Sequence, residues 1–233
     1  MQLGRVAKAL LYAVSLATGA AANAGDITGS VSFSGAVPQR PKTPITIDQY
    51  ICGKEKDAED LVLGSKGGVQ HAVVWIENPP SGAKWPDELP KAEMDQKGCV
   101  FLPRVVVVPV GGTVDFLNSD RLLHNLHSLS KLNPEFNRTQ PRGRTIPITF
   151  SKPEFVPITC DLHSWMKSWV VVAEHPYYAV TDASGAFRIP DVPPGKYRLR
   201  MWQEVIGERT QEVAVSPQGG AARFEVKALK APQ

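Results

Sequence analysis

Short runs in which apolar residues alternate with small or polar ones recur along most of the chain. Ile27-Thr-Gly-Ser-Val-Ser-Phe-Ser-Gly35, Thr113-Val-Asp-Phe-Leu-Asn118 and Lys196-Tyr-Arg-Leu-Arg-Met-Trp202 all follow this alternation. Every second side chain then faces the same way, so each run predicts a strand with one buried face. The runs 71–77, 211–215 and 222–226 read as further strands, with His71 a strand-edge residue rather than a ligand. Arg104-Val-Val-Val-Val-Pro-Val110 is apolar almost throughout, which predicts burial on both faces. Ala179–Ile189 reads as a hairpin around a D-x-x-G turn. Residues 38–44 are too rich in proline for a helix or a central strand. The stretch 45–67 reads as a long loop with short strands, 78–91 as a linker or domain edge and 130–147 as a polar excursion. No amphipathic helical pattern follows residue 24, and the expected fold class is all-β.

The first 24 residues have a different character. Arg5 and Lys8 precede the apolar run Ala9–Ala17, and Ala22-Asn-Ala24 is a small-residue cleavage site. This is the pattern of an export signal, with cleavage near Ala24 and a periplasmic or secreted destination. No later stretch approaches the length of a membrane span. Without Arg5 and Lys8 the 26 basic residues become 24, against 23 acidic ones. A nearly neutral protein offers no electrostatic reason to bind nucleic acid.

The chemistry concentrates in Ile158-Thr-Cys-Asp-Leu-His-Ser-Trp-Met166, which sets a thiolate, an imidazole and a thioether at the spacing C-x2-H-x2-M. Pro157 before it and β-branched residues after it argue against a helix. A strand ending at Cys160 and a tight turn into 169–172 would instead aim Cys160, His163 and Met166 at one point. His124, in Leu123-His-Asn-Leu-His127, supplies a second imidazole from another strand. A soft thiolate, two imidazoles and a weak thioether form the ligand set of a blue-copper electron-transfer site. Zinc fits less well, because methionine is a poor zinc ligand. His127 lies three residues from His124 and, in an extended chain, points to the other face. His175, before Pro176, reads as structural.

The chain has three cysteines. In an exported protein Cys52 and Cys99, which lack metal-type neighbours in sequence, are expected to pair. Cys160 is then the odd thiol, and metal ligation explains why it stays unpaired. No C-x-x-C-H haem attachment motif occurs.

The section from Gly111 to Glu174 resembles a cupredoxin, most of all the amicyanin branch of methylamine-utilisation type. The resemblance is carried by Gly112-Thr-Val-Asp-Phe-Leu-Asn118, His124-Asn-Leu-His127, Cys160-Asp-Leu-His-Ser-Trp-Met166 and Val170-Val-Val172. It implies one type 1 copper held by His124, Cys160, His163 and Met166. It also implies that Asn125 hydrogen-bonds across to the ligand loop, and that His127 stands outside the main ligand set. Ser164 stands where that family usually has proline. Thr181-Asp-Ala-Ser-Gly-Ala-Phe-Arg-Ile189 and Val192-Pro-Pro-Gly-Lys-Tyr-Arg-Leu199 resemble the carboxypeptidase regulatory-like, or transthyretin-like, sandwich often grouped with carbohydrate-binding-like folds. Gly29-Ser-Val31 and Ala72–Ile76 fit the opening strands of such a module.

The expected organisation follows: a signal over 1–24, a first part of the second sandwich with the Cys52 loop over 25–91, a Greek-key copper domain over 92–174, and the rest of that sandwich over 175–233. The expected function is a non-enzymatic electron carrier serving a periplasmic redox protein such as a c-type cytochrome or a dehydrogenase. His163 is expected near the surface as the route for the electron, with Leu162 as an apolar rim and Trp165 either part of that rim or a cover that excludes water. The alternatives are copper storage or delivery, or a carbohydrate or cell-surface binding module in which copper is incidental.

Overall fold

The computed structural model describes residues 24–36, 40–89 and 91–227. The export signal read from the sequence lies outside the described residues. Within them nearly everything regular is β-structure. The helical elements are one turn at Gln49–Cys52 and a 3-10 turn at Ser65–Gly67, both inside the stretch 45–67 expected to be loop and short strands.

Strands are arranged as two sandwiches. In one, a three-stranded sheet ordered Ala186–Val192, Gly25–Phe33, Gly220–Val226 covers a four-stranded sheet ordered Tyr178–Val180, Val73–Ile76, Gly195–Gln203, Gly207–Val215. Ile27, Val31, Val74, Ile76, Ile189 and Leu199 meet between them without solvent exposure. Gly29 allows the close approach of its neighbour here: a Cβ on it would lie 2.1 Å from the Ala222 carbonyl oxygen. The other sandwich pairs a five-stranded sheet, ordered Asn137–Gln140, His124–Ser128, Glu154–Thr159, Lys167–Ala173, Val105–Pro109, with a four-stranded one, ordered Ile146–Thr149, Thr113–Asn118, Ala92–Gln96, Phe101–Leu102. Its core includes Met94, Phe101, Phe116, Leu126, Ile158 and Val170.

The two sandwiches stack, and this explains the continuous apolar strand. Val106 and Val108 enter the core of their own sandwich, while Val105 and Val107 face outward into a third cluster with Val73, Val171, Trp75 and Trp202. That cluster is the seam between the sandwiches. Trp169 meets Trp202 edge-on at 4.8 Å between ring centroids, and Trp75 stacks on Tyr178 at 5.6 Å. Aromatic pairs of this kind add about 0.5–1.5 kcal/mol each beyond the area they bury.

One expectation is corrected. Residues 179–189 do not form a hairpin. The turn is present, with the Gly185 amide donating to the Asp182 carbonyl at 2.9 Å. However, Tyr178–Val180 pairs with Val73–Ile76, while Ala186–Val192 pairs with Gly25–Phe33 in the opposite sheet. The turn is therefore a corner between layers. Local sequence specifies the reversal, but packing decides which sheet each arm joins.

Candidate metal centre

Cys160 follows directly on the strand Glu154–Thr159, and Met166 directly precedes Lys167–Ala173. The reversal between them is held by its own backbone. The His163 amide donates to the Cys160 carbonyl at 3.3 Å, the Met166 amide to the His163 carbonyl at 2.8 Å, and the Cys160 amide to the Met166 carbonyl at 3.3 Å. Spacing the three residues by three thus places each at a hydrogen-bonded corner of one turn. Cys160 and Met166 are buried in the same core cluster. His124 begins the neighbouring strand His124–Ser128, which pairs with Glu154–Thr159.

Three of the expected donors converge. His124 Nδ1 and His163 Nδ1 are 3.0 Å apart, and Cys160 Sγ lies 3.9 Å from the first and 3.6 Å from the second. The other nitrogen of each ring faces a carboxylate: His124 Nε2 is 2.9 Å from Asp120 Oδ2, and His163 Nε2 is 3.1 Å from Asp48 Oδ2. A carboxylate accepts, so each Nε2 carries the hydrogen and each Nδ1 presents a lone pair. Two lone pairs facing one another beside a thiol are an arrangement that one metal cation would satisfy. The triangle suits one ion, given metal–nitrogen bonds of about 2.0–2.1 Å and metal–thiolate bonds of about 2.3 Å, as for zinc.

Burial favours uncharged donors before metal binds. It pushes the Cys160 thiol up from its ordinary range, against the pull of hydrogen bonds from the Asn125, Leu162 and His163 amides. Burial likewise pushes His124 down, opposed by its bond to Asp120. The neutral imidazole is the metal-binding form, and an arriving metal ion would displace the thiol proton.

Asn125 spans from its strand to the ligand turn. Its Oδ1 accepts from the Asp161 amide at 2.6 Å, and its Nδ2 donates to Asn137 Oδ1 at 2.6 Å. His127 lies outside the donor triangle, with its Nδ1 2.8 Å from Asp161 Oδ1. His71 and His175 belong to the other sandwich, His175 packing against Tyr177 and Tyr178.

The expected surface position of His163 is corrected: its side chain has 0% exposure. Two neighbours explain this. The Trp165 ring lies 5.1 Å from the imidazole and is pinned by a 3.0 Å bond from Nε1 to the Cys99 carbonyl, so it covers the site rather than forming an exposed rim. On another side stands the loop bearing Asp48, four residues before Cys52. Cys52 is bonded to Cys99, the expected pairing, and Cys160 is free. Leu162 does remain at the surface, 45% exposed.

Sequence reasoning missed both carboxylates. Asp120 had a faint signal in its place four residues before His124, but in an extended chain that spacing is no contact; here the chain turns between them. Asp120 also accepts from the amides of Gly98 (2.6 Å) and Cys99 (2.8 Å). Cys99 thus does have a metal-type neighbour in space, since its sulfur lies within 4.8 Å of ligand atoms of Asp120 and His124. Bonded in a disulfide, that sulfur is no thiolate donor. Asp48 lies 115 residues from His163 and had no signal at all.

Comparison with known proteins gives partial likenesses. The family model described as polysaccharide lyase family 4, domain II, matches residues 142–223, less than half of the chain and crossing from one sandwich into the other. No curated protein matches in sequence. Among solved structures the chain is similar to a Cu-containing nitrite reductase from Thermus scotoductus SA-01, with 29% identity over 42% of this chain and 25% of that one, at a TM-score of 0.34. It is also similar to a purple cupredoxin from Nitrosopumilus maritimus, with 22% identity over 36% of this chain and 100% of that one, at a TM-score of 0.32. A reduced amicyanin variant matches with 21% identity over 43% of this chain and 98% of that one, at a TM-score of 0.34. The match spans only a quarter of the nitrite reductase. The case for the site rests on its side chains.

Proposed function

We propose that the protein is a type 1 copper protein that carries single electrons between redox partners outside the cytoplasm. Copper would be held by His124, Cys160, His163 and Met166. The observation that carries this reading is the facing pair of Nδ1 lone pairs beside the one unpaired thiol, with both other cysteine sulfurs tied up in a disulfide. A buried thioether from Met166 in the same turn favours copper over zinc, since soft sulfur ligands select copper.

When bound, copper supplies reversible one-electron chemistry. The protein's own part is to fix the donors so that the site need not rearrange between oxidation states. The closed Cys160–Met166 turn, the Asn125 bridge and the carboxylates behind both imidazoles do this. A carrier rather than a catalyst is the reading that suits the five histidines: two meet at the site, and the other three engage Asp161 or sit on the second sandwich. The proposed partner is a periplasmic redox protein, a c-type cytochrome or a dehydrogenase, consistent with the export signal in the sequence. The second sandwich is assigned a supporting role through the aromatic seam.

The deciding experiment is a visible absorption and electron paramagnetic resonance spectrum of the copper-loaded protein, followed by voltammetry. A strong thiolate-to-copper band with a reversible one-electron wave is expected. Absence of the band overturns the copper assignment. A band without a reversible wave shifts the reading to copper storage or delivery.

A further inference from the structure

The ligand set accounts for three polar groups that meet in the core but leaves the Asp48 carboxylate unexplained. Asp48 Oδ2 lies 3.1 Å from His163 Nε2, and its side chain is 36% exposed whereas the imidazole is fully buried. A polar connection from that buried ring to solvent therefore passes through this carboxylate. It is not the chance contact of a free loop. Asp48 takes a left-handed backbone conformation, φ 49° and ψ 30°, and its carbonyl accepts from the amides of Ile51 and Cys52 at 3.0 and 2.9 Å. Cys52 is bonded to Cys99, Ile45 is packed in the core of the ligand-bearing sandwich, and Lys56 Nζ donates to the Gly98 carbonyl at 2.6 Å. The loop is fastened on both sides of Asp48.

We propose that Asp48 is the positioning residue of His163: its carboxylate holds the Nε2 hydrogen, turns Nδ1 toward Cys160 and His124, and covers the ring edge, so that an electron enters and leaves across the Asp48 loop. The inference rests on the copper reading above and adds to it a residue from far earlier in the chain. A carboxylate bonded to the far nitrogen of a ligand histidine fixes its tautomer and raises its basicity. The same negative charge favours the more positive, oxidised ion, so Asp48 holds the potential down. A partner would touch the loop itself, where Ile47 and Tyr50 are exposed to 47% and 77%, rather than a bare imidazole.

The test compares wild type with Asp48→Ala and Asp48→Asn in two arms. In the metal-free mature chain, nitrogen-15 NMR of the histidine rings should show a protected Nε2–H on His163 in wild type. That signal should be lost in Asp48→Ala and kept in Asp48→Asn, whose side-chain oxygen can still accept. In the copper-loaded proteins, Asp48→Ala should bind Cu(II) about 10–100-fold more weakly. Both variants should favour the reduced ion about tenfold more, a positive shift of about 59 mV for one electron. Asp48→Ala alone should be oxidised faster by ferricyanide, a small outer-sphere reagent, because the ring edge is opened. An Asp48→Ala protein that keeps the protected Nε2–H, the wild-type affinity and the wild-type potential overturns the proposal. If wild type shows no thiolate-to-copper band, the copper reading fails by itself, and the metal-free arm still decides the Asp48 contact.

Discussion

Arg104 and Glu204 stand on different sandwiches and meet across the seam, with Arg104 Nε 3.2 Å from Glu204 Oε1 and both side chains almost wholly buried. Arg104 also donates to the Lys167 carbonyl at 3.0 Å, and Lys167 Nζ lies 3.0 Å from Glu204 Oε2. One carboxylate thus joins two cations on the ligand-bearing sandwich to a loop of the other.

Glu204→Ala leaves the Arg104 guanidinium buried beside a weaker partner, Glu59, at 3.6 Å. Removing one member of a buried pair costs about 3–5 kcal/mol. The expected loss in urea unfolding is near the lower end of that range, with the copper spectrum of the folded protein unchanged. A loss below about 1 kcal/mol, the value of an exposed pair, would show that the seam does not depend on this contact.

The ligands separate by their spectra. Cys160→Ser exchanges the thiolate for a hard, protonated hydroxyl, so the visible band should vanish and affinity fall by more than the ~10–100-fold of losing a ligand's hydrogen-bond partner. Met166→Leu should keep copper bound at a higher potential, because the oxidised ion loses a donor. His124→Ala should abolish or reshape the band, whereas His127→Ala should spare it, since that ring turns to Asp161. The opposite order for the two histidines would refute the ligand assignment.

Cys52 and Cys99 are separated by 47 residues. Loop-closure entropy for a ring of that size amounts to about 4 kcal/mol. The double variant Cys52→Ala, Cys99→Ala should lose up to about that much in denaturant unfolding and, with the Asp48 loop released, should exchange copper with a chelator faster than wild type. Equal exchange rates would show that the bridge serves stability alone.

His71 predicts a pH effect. Burial, with Arg104 adding to it and Glu204 partly opposing, pushes its imidazole down to about 4 from 6.5. Between those two values the unfolded chain takes up a proton that the folded chain refuses, so this group weakens the fold as pH falls from 6.5 to about 4 and contributes no further loss below. His71→Gln should flatten that part of the urea-midpoint profile. An unaltered profile would place the acid sensitivity elsewhere.

Much of this was legible because it is local. Thr113–Asn118 alternates so regularly that its strand can be read to the residue, and the C-x2-H-x2-M turn carries its donors within one reversal. The four consecutive valines announced burial on both faces, though not that the second face would be another sandwich. What escaped was non-local. The arms around Asp182–Gly185 follow their sheets, not their turn. Asp48 reaches His163 through a loop whose path is set by a disulfide and by Ile45 entering a core far along the chain. The same loop overturned the exposure expected for His163.

Two cysteine sulfurs of this protein lie near one imidazole. Ligand atoms of His124 lie within 4.8 Å of those of both Cys160 and Cys99. During oxidative folding the chain therefore brings a thiol that must remain free close to one that must be bridged. On the copper reading, only the Cys52–Cys99 bridge leaves Cys160 free for the metal. A bridge from Cys99 to Cys160 would consume the metal's thiolate and at the same time leave the Asp48 loop untethered through Cys52. An early-arriving copper ion, by occupying Cys160, would act as a protecting group for that thiol and steer the oxidant to the right pair.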